Sequence, residues 1–281
     1  MPKFLTDQQV EQYHRDGFVS PVRVMPEEEA ISLRSKIEVF EASQGEPIHG
    51  TQKTKAFLRF PWAYDLVMRP EILDAVEDVM GPDILCYQHG TWFKEPESGS
   101  YVSWHQDATY YGMDPWALLS AWVALTVVDD ISGCIQVVPG SHKGGSYPVE
   151  YTERSEENLL ASGQNTLYEF DEADAVSFHL RPGEMSFHHV CLVHSSKPNH
   201  GTDRRMGLSA GYVPPHVKQT TELKATAMLV RGKDDYGHYL PNELPPAGHD
   251  DPATIERQEK SVELYRQKSI ECGNQTAWRL G

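Results

Sequence analysis

Between Ile84 and Val213 the chain is cut into short runs of aromatic and β-branched residues, and this most constrains its fold. The runs are "ILCYQHGTWF", "LLSAWVALTVV", "GCIQVVPG", "AVSFHL", "MSFHHVCLVH" and "MGLSAGYV". Between them stand "EPESGS", "DDISG", "PGSHKGG", "RPGE" and "KPNHGTD", all rich in turn-forming residues. Branched and aromatic side chains favour extended backbone, and Gly, Pro, Asn and Asp favour the conformations of tight turns. Many short strands at this spacing predict a mainly β protein with a jelly-roll, cupin-like core and flanking helices.

The flanks carry a helical period. "TDQQVEQYHRDG" offers Thr6 as an N-cap and Gly17 as a stop. "PEEEAISLRSKIEVFEAS" starts at Pro26, places three acids in its first turn and aligns Ala30, Leu33, Ile37 and Phe40 on one face. "PEILDAVEDVMG" repeats the pattern up to Gly81, and "DPATIERQEKSVELYRQKSIEC" resumes it in the tail. With no internal repeat and no low-complexity linker, one domain over residues 1–281 is expected. Its parts would be a helical segment at 1–82, a jelly-roll core at 83–215 and a C-terminal extension at 216–281. Residues 143–174, polar and acidic, are too long for a simple hairpin and are expected to lie as a lid over one mouth of the barrel.

The formal charge of −16 disfavours nucleic acid and anionic membranes as partners, since both need clustered Lys and Arg. No segment has the apolar length of a membrane span, and the N-terminal stretch lacks a secretory pattern, so a cytoplasmic location is expected. Cys86, Cys134, Cys191 and Cys272 form no C-x-x-C pair and read as reduced, mostly buried thiols.

The 13 histidines justify a search for metal ligands. In "WHQDATYYG" (104–112), His105 and Asp107 would lie on one face of a strand, an imidazole beside a carboxylate. That supplies two corners of the 2-His-1-carboxylate triad of non-haem Fe(II) oxygenases, although such triplets also arise by chance on surface strands. The third ligand must come from elsewhere, and His142, His179, His188, His189, His194 and His200 compete. If "MSFHHVCLVH" is one strand, His188 and His194 share a face and His189 takes the other, but both faces are apolar. Periodicity leaves the choice open. On the next strand Arg205, Gly207, Ser209 and Gly211 share a face, with Arg204 on the other. A guanidinium with small neighbours suits the distal carboxylate of 2-oxoglutarate, because its planar fork binds a carboxylate through two parallel hydrogen bonds. A solvated surface arginine is the plain alternative.

Taken together, "HQD" at 105–107, His194 followed by "SS", and an "RR" ending at Arg205 resemble the phytanoyl-CoA dioxygenase family. "FKEPESG", "SAWVALTVVDDISGCIQVVPGSHKG" and "RPGEMSFHHVCLVHSS" extend the resemblance over roughly 84–215, and "YHRDGFV" supports it weakly upstream. The resemblance implies a double-stranded β-helix, Fe(II) and 2-oxoglutarate as co-substrate. It implies His105, Asp107 and His194 as metal ligands and catalytic residues, and Arg205 as the clamp on the distal carboxylate. Ser196, Trp122, Thr126 and Gln88 match or neighbour co-substrate positions, with core packing as the bland reading of Trp122. Halogenating relatives carry a small residue in place of the carboxylate ligand, so Asp107 favours hydroxylation.

The expected reaction is hydroxylation of an aliphatic C–H by dioxygen, with 2-oxoglutarate converted to succinate and carbon dioxide. Tyr110, Tyr111, His188 and Arg59 are the candidates for substrate contacts. Tyr101, Trp92, Trp104 and Trp116 crowd the same stretch, where aromatic rings could cage a quaternary ammonium, although ordinary packing is the commoner role of each. The family's small-molecule hydroxylases point to a small polar metabolite, such as an amino- or trimethylammonio-alkylphosphonate. The rivals are a cupin-type metalloenzyme that uses no 2-oxoglutarate and a non-catalytic small-molecule binder on the same fold. Oligomeric state is not readable.

Overall fold

The computed structural model describes residues 1–151, 155, 157–160, 163–241 and 244–272. The first helix, α1 (Asp7–Asp16), opens on a capping box in which Thr6 and Gln9 satisfy each other's backbone N–H. It closes at Gly17 in the left-handed conformation. A strand follows at once, β1 (Phe18–Arg23). Then come α2 (Glu27–Gln44), α3 (Pro61–Val67) and α4 (Pro70–Met80), the last two with proline in their first turns.

The β region starts with β2 (Ile84–Lys94) and β3 (Val102–His105), then a one-turn helix α5 (Ala108–Tyr111) and the short β4 (Met113–Asp114). It continues through β5 (Leu119–Ala124), β6 (Ile135–Val137), the hairpin of β7 (Val149–Tyr151) and β8 (Gln164–Thr166), and β9 (Val176–Ser177). The last strands are β10 (Glu184–His189), β11 (His194–Ser196), β12 (Arg205–Val213), β13 (Lys218–Gln219), β14 (Thr226–Arg231) and β15 (Leu240–Pro241). Helix α6 (Pro252–Glu271) completes the described chain.

Two sheets form the jelly roll. The larger has seven strands in the order β1-β10-β5-β12-β2-β14-β15, and the smaller has four in the order β3-β11-β6-β9. Helices α2, α3 and α4 bury their apolar faces in one core with β2, β5, β10 and β12, through Leu33, Ile37, Leu66 and Val76. Leu192, Val137, Phe178 and Trp122 fill a second core between the sheets.

Two expectations need correction. "FVSPVR" lies in the stretch read as helical, yet it is the edge strand β1, and β14 joins the same sheet from beyond residue 215. The edge position explains the strand's tolerance of Pro21, which cannot donate to a ladder. Further, "MSFHHVCLVH" is not one strand. β10 ends at His189 in the larger sheet, Val190–Val193 turn, and β11 starts at His194 in the smaller one. Of the expected lid, residues 152–154, 156, 161 and 162 lie outside the described residues, as do 273–281 of the tail. The described part of 143–174 includes the β7–β8 hairpin, which packs beside β3: Asn158 Nδ2 donates to Ser103 Oγ at 3.0 Å, and Ser103 Oγ donates to the Gln164 carbonyl. Among the described residues no helix is long and apolar enough to cross a membrane.

His89 on β2 is fully buried near Trp62, and neither ring nitrogen has a hydrogen-bond partner among the described residues. Burial pushes its pKa down to about 3. Below the ordinary histidine value of 6.5 the unfolded chain takes up a proton that the fold refuses until about pH 3, so this residue removes stability as pH falls through that window. His89→Leu is expected to shrink the stability lost between pH 7 and pH 4 by on the order of 3 kcal/mol, measured by urea unfolding at both pH values. An unchanged difference would refute the assignment.

Candidate metal centre

The cavity between the two sheets gathers most of the predicted site residues. Gln88, Trp92, His105, Asp107, Tyr111 and Ser120 line it, as do Trp122, His188, His194, Ser196, Arg205 and Ser209. His105 ends β3 and His194 begins β11, and the two are directly paired across the ladder, so their rings stand 4.1 Å apart between centroids.

Asp107 reaches the site differently from the sequence expectation. β3 stops at His105, and Asp107 is already in the right-handed helical region at the head of α5. The turn between them is held by Gln106, whose buried amide donates to the carbonyls of Gly145 and Cys191 and accepts from Tyr147 N. Lys268 on α6 donates to the Tyr111 carbonyl and so ties the far end of α5 to the C-terminal helix. The carboxylate still meets the imidazoles: Asp107 Oδ1 lies 3.5 Å from His105 Nε2 and 3.9 Å from His194 Nε2.

One donor atom from each of these three residues lies within 4.8 Å of the other two. Neighbouring ligands of an octahedral first-row metal ion lie about 3 Å apart, so a modest inward movement of these side chains would close them on one metal. Each imidazole is oriented for that role. His105 Nδ1 donates to the carbonyls of Ser103 (2.9 Å) and His194 (3.1 Å), and His194 Nδ1 donates to Leu192 at 2.9 Å. Both Nε2 lone pairs therefore point into the cavity, which is the usual outer support of a ligating histidine. Burial and the neighbouring imidazoles of His105 and His188 hold His194 well below the ordinary histidine pKa, leaving it neutral and able to coordinate. Burial opposes the charge of Asp107, yet the adjacent imidazoles of His105, His188 and His194 hold it well below the carboxylate range. Ser120 Oγ adds a hydrogen bond to Oδ2 at 2.8 Å.

Arg205 enters the same cavity from β12. It is buried, donates to the Gly133 carbonyl at 2.9 Å, and lies 5.2 Å from the Trp122 ring centroid. No carboxylate pairs with it among the described residues, and its Nε has no hydrogen-bond partner there. Burial lowers its pKa to about 10, so it remains charged at neutral pH. A buried, unpaired guanidinium is costly unless an anion joins it, and a carboxylate fits its fork. Gly207 leaves space for Trp122, since a methyl group there would overlap the indole.

Other predicted residues fall elsewhere. Thr126 Oγ1 accepts from Met206 N at 3.0 Å and does not line the cavity. Arg59 sits outside it, with Nε donating to the His249 carbonyl. Tyr110 is packed in an adjoining core, whereas Tyr111 lines the cavity. The wider aromatic cluster disperses: Trp104 packs edge-on against Phe170, Trp116 lines a separate outer cleft, and of the Phe, Tyr and Trp side chains among the described residues only Trp92, Tyr111 and Trp122 line the cavity. Sequence reasoning missed Ser120, Gln106 and Lys94. Ser120 was within reach, because it is two residues from Trp122 on β5 and so shares its face. Lys94, fully buried, donates to Ser196 Oγ at 2.7 Å, and its position is set only by pairing with Arg205 across the β2–β12 ladder.

A jelly roll with two histidines, a carboxylate and a buried arginine around one cavity defines a class of metal-dependent oxygenase. The model of the phytanoyl-CoA dioxygenase (PhyH) family matches residues 13–207, and the chain belongs to that family. It is a non-haem iron dioxygenase that uses Fe(II) and 2-oxoglutarate. A probable alpha-ketoglutarate-dependent hypophosphite dioxygenase of Stutzerimonas stutzeri is 30% identical over 213 residues, 75% of this chain and 71% of that protein. The bovine peroxisomal phytanoyl-CoA dioxygenase is 32% identical over 149 residues, 51% of this chain but only 43% of the relative. Among solved structures, the apo form of the non-haem monooxygenase ThoJ superposes with a TM-score of 0.84 at 30% identity, covering 95% of this chain and 99% of that one. CytC3 with Fe(II) and alpha-ketoglutarate shares the fold, with a TM-score of 0.67 at 23% identity over 89% of this chain and 97% of that one.

Asp107→Ala is expected to weaken Fe(II) binding by about 100-fold in anaerobic titration, since it removes the only carboxylate of the group. His188→Ala should weaken that affinity less, by about tenfold, because losing an outer partner of Asp107 costs less than losing a ligand. Unchanged binding in Asp107→Ala would sink the ligand assignment.

Proposed function

We propose that the enzyme hydroxylates an aliphatic C–H of a small polar metabolite, with His105, Asp107 and His194 holding the iron and Arg205 holding the distal carboxylate of 2-oxoglutarate. The observation that carries this reading is the buried guanidinium of Arg205, unpaired by any carboxylate of the described residues, in the same cavity as the three ligand side chains. Bound Fe(II), with the co-substrate and dioxygen, supplies the oxidation, turning 2-oxoglutarate into succinate and carbon dioxide while a C–H becomes C–OH.

The chain's own residues place and shield the reactants. Arg205 fixes one end of the co-substrate, with the Trp122 face packed on the guanidinium. Ser196, oriented by Lys94, offers its hydroxyl near that end. His188 faces the remaining space: its ring is 4.5 Å from that of His194, and its Nε2 stands 3.8 Å from Asp107 Oδ2. Gln88 and Tyr111 complete the substrate side. The apolar walls exclude water from the oxidation. No general base is needed.

Small phosphonates, including amino- and trimethylammonio-alkylphosphonates, are the substrate class of this proposal. Supporting it are the resemblance to bacterial small-molecule hydroxylases and the relative named for hypophosphite. The arginine disfavours a cupin-type reaction without 2-oxoglutarate, for which a buried anion clamp has no use.

Succinate release under Fe(II) should rise above background with one member of a panel of phosphonates, betaines and amino acids. Arg205→Ala should raise the KM for 2-oxoglutarate by about 10- to 100-fold, matching one charge-assisted bidentate contact. Arg205→Lys should restore only part of it, because the fork geometry is lost. An unaltered KM in Arg205→Ala would remove the basis of the proposal.

A further inference from the structure

We propose that Cys134, His179 and Asp130 form a second metal site, suited to a borderline divalent ion such as Zn2+, outside the iron cavity. Asp130 and Cys134 lie on the turn entering β6, and His179 lies just past β9, the strand paired with β6. A sulfur, a nitrogen and an oxygen donor from these residues lie within 4.8 Å of one another. None of the three lines the cavity that contains His105, Asp107 and His194.

The geometry is close to that of an occupied site. Cys134 Sγ is 3.4 Å from Asp130 Oδ1, and His179 Nε2 is 3.0 Å from Asp130 Oδ2. In a tetrahedral zinc site, bonds of about 2.0–2.3 Å set ligand-to-ligand edges of about 3.3–3.5 Å, so small side-chain rotations would converge on one ion. Ser177 Oγ donates to Asp130 Oδ1 at 2.8 Å and fixes the carboxylate, as an outer hydrogen bond does in established sites.

The donor set selects the ion. A thiolate with an imidazole is soft enough for Zn2+ or Co2+ and unsuited to Mg2+ or Ca2+, which require oxygen ligands. Cys134 is buried, whereas the His179 and Asp130 side chains are 58% and 65% exposed, so an ion can arrive from solvent and retain water at a fourth position. In the metal-free protein the Cys134 thiol donates to Asp130, and binding exchanges that proton for the metal.

This site borders the co-substrate clamp. Gly133, next to Cys134, gives its carbonyl to Arg205 and packs tightly on the carbonyls of Lys197 and Pro198, shortly after His194. The second ion would thus brace the loop on which the arginine rests.

The test is a Co2+ titration of the full-length protein, followed through the thiolate-to-cobalt charge-transfer band in the near ultraviolet. His105, Asp107 and His194 include no thiol, so the band reports the second site whether or not the iron assignment holds. The wild type should show a band that saturates by two ions per chain, since the iron triad also takes Co2+, and Asp107→Ala should retain the band. Cys134→Ser should abolish the band. His179→Ala, an exposed position that leaves the core untouched, should weaken the apparent affinity by about tenfold or more. The proposal is overturned by a wild type without the band, by a band that survives Cys134→Ser, or by His179→Ala titrating like the wild type.

Discussion

A carboxylate ringed by three imidazoles is the interaction on which this structure depends. Asp107, with its side chain 19% exposed, keeps its charge because His105, His188 and His194 surround it and Ser120 donates to it. Each partner comes from a different strand: β3, β10, β11 and β5. A buried charge tolerates little displacement of its partners. Both sheets must therefore be in register for the cluster to exist, and the Gln106 and Lys268 hydrogen bonds to neighbouring carbonyls keep the α5 turn in place.

The other end of the cavity has the opposite electrostatic problem. Arg205 and Lys94 are both buried, and Arg205 is among the causes, after burial, that push Lys94 down to about 6. Backbone carbonyls and the Ser196 hydroxyl satisfy Lys94, whereas Arg205 has one carbonyl and an aromatic face. A cavity with its carboxylate at one end and an undersatisfied guanidinium at the other is polarised along its length. A dicarboxylate with one end on a metal and the other on the arginine complements that polarity.

Several readings from residue pattern survived because they rested on local rules. Thr6 and Gly17 bound α1 through a capping box and a left-handed glycine, features written into neighbouring residues. The alternation along β12 put Arg205 and Ser209 toward one cavity, since nine residues of regular strand keep the period of two. The same rule failed at "MSFHHVCLVH", where the chain leaves one sheet and enters the other between His189 and His194. His188 and His194 still meet, because the two sheets face each other across the cavity and not because they share a strand face.

By itself the sequence determined the family, the jelly-roll class and the chemical types at the site, because these are carried by residue identity and spacing along the chain. Only the tertiary structure decided which side chains share a space. It moved Thr126 and Arg59 away from the cavity, put Tyr111 but not Tyr110 on its wall, and brought in Ser120 and, behind Ser196, Lys94. It also placed Cys134 beside His179, residues far apart in the chain that meet through the pairing of β6 with β9. The physical reason is that strand pairing and sheet packing are long-range, and short-range periodicity holds no information about which strands become neighbours.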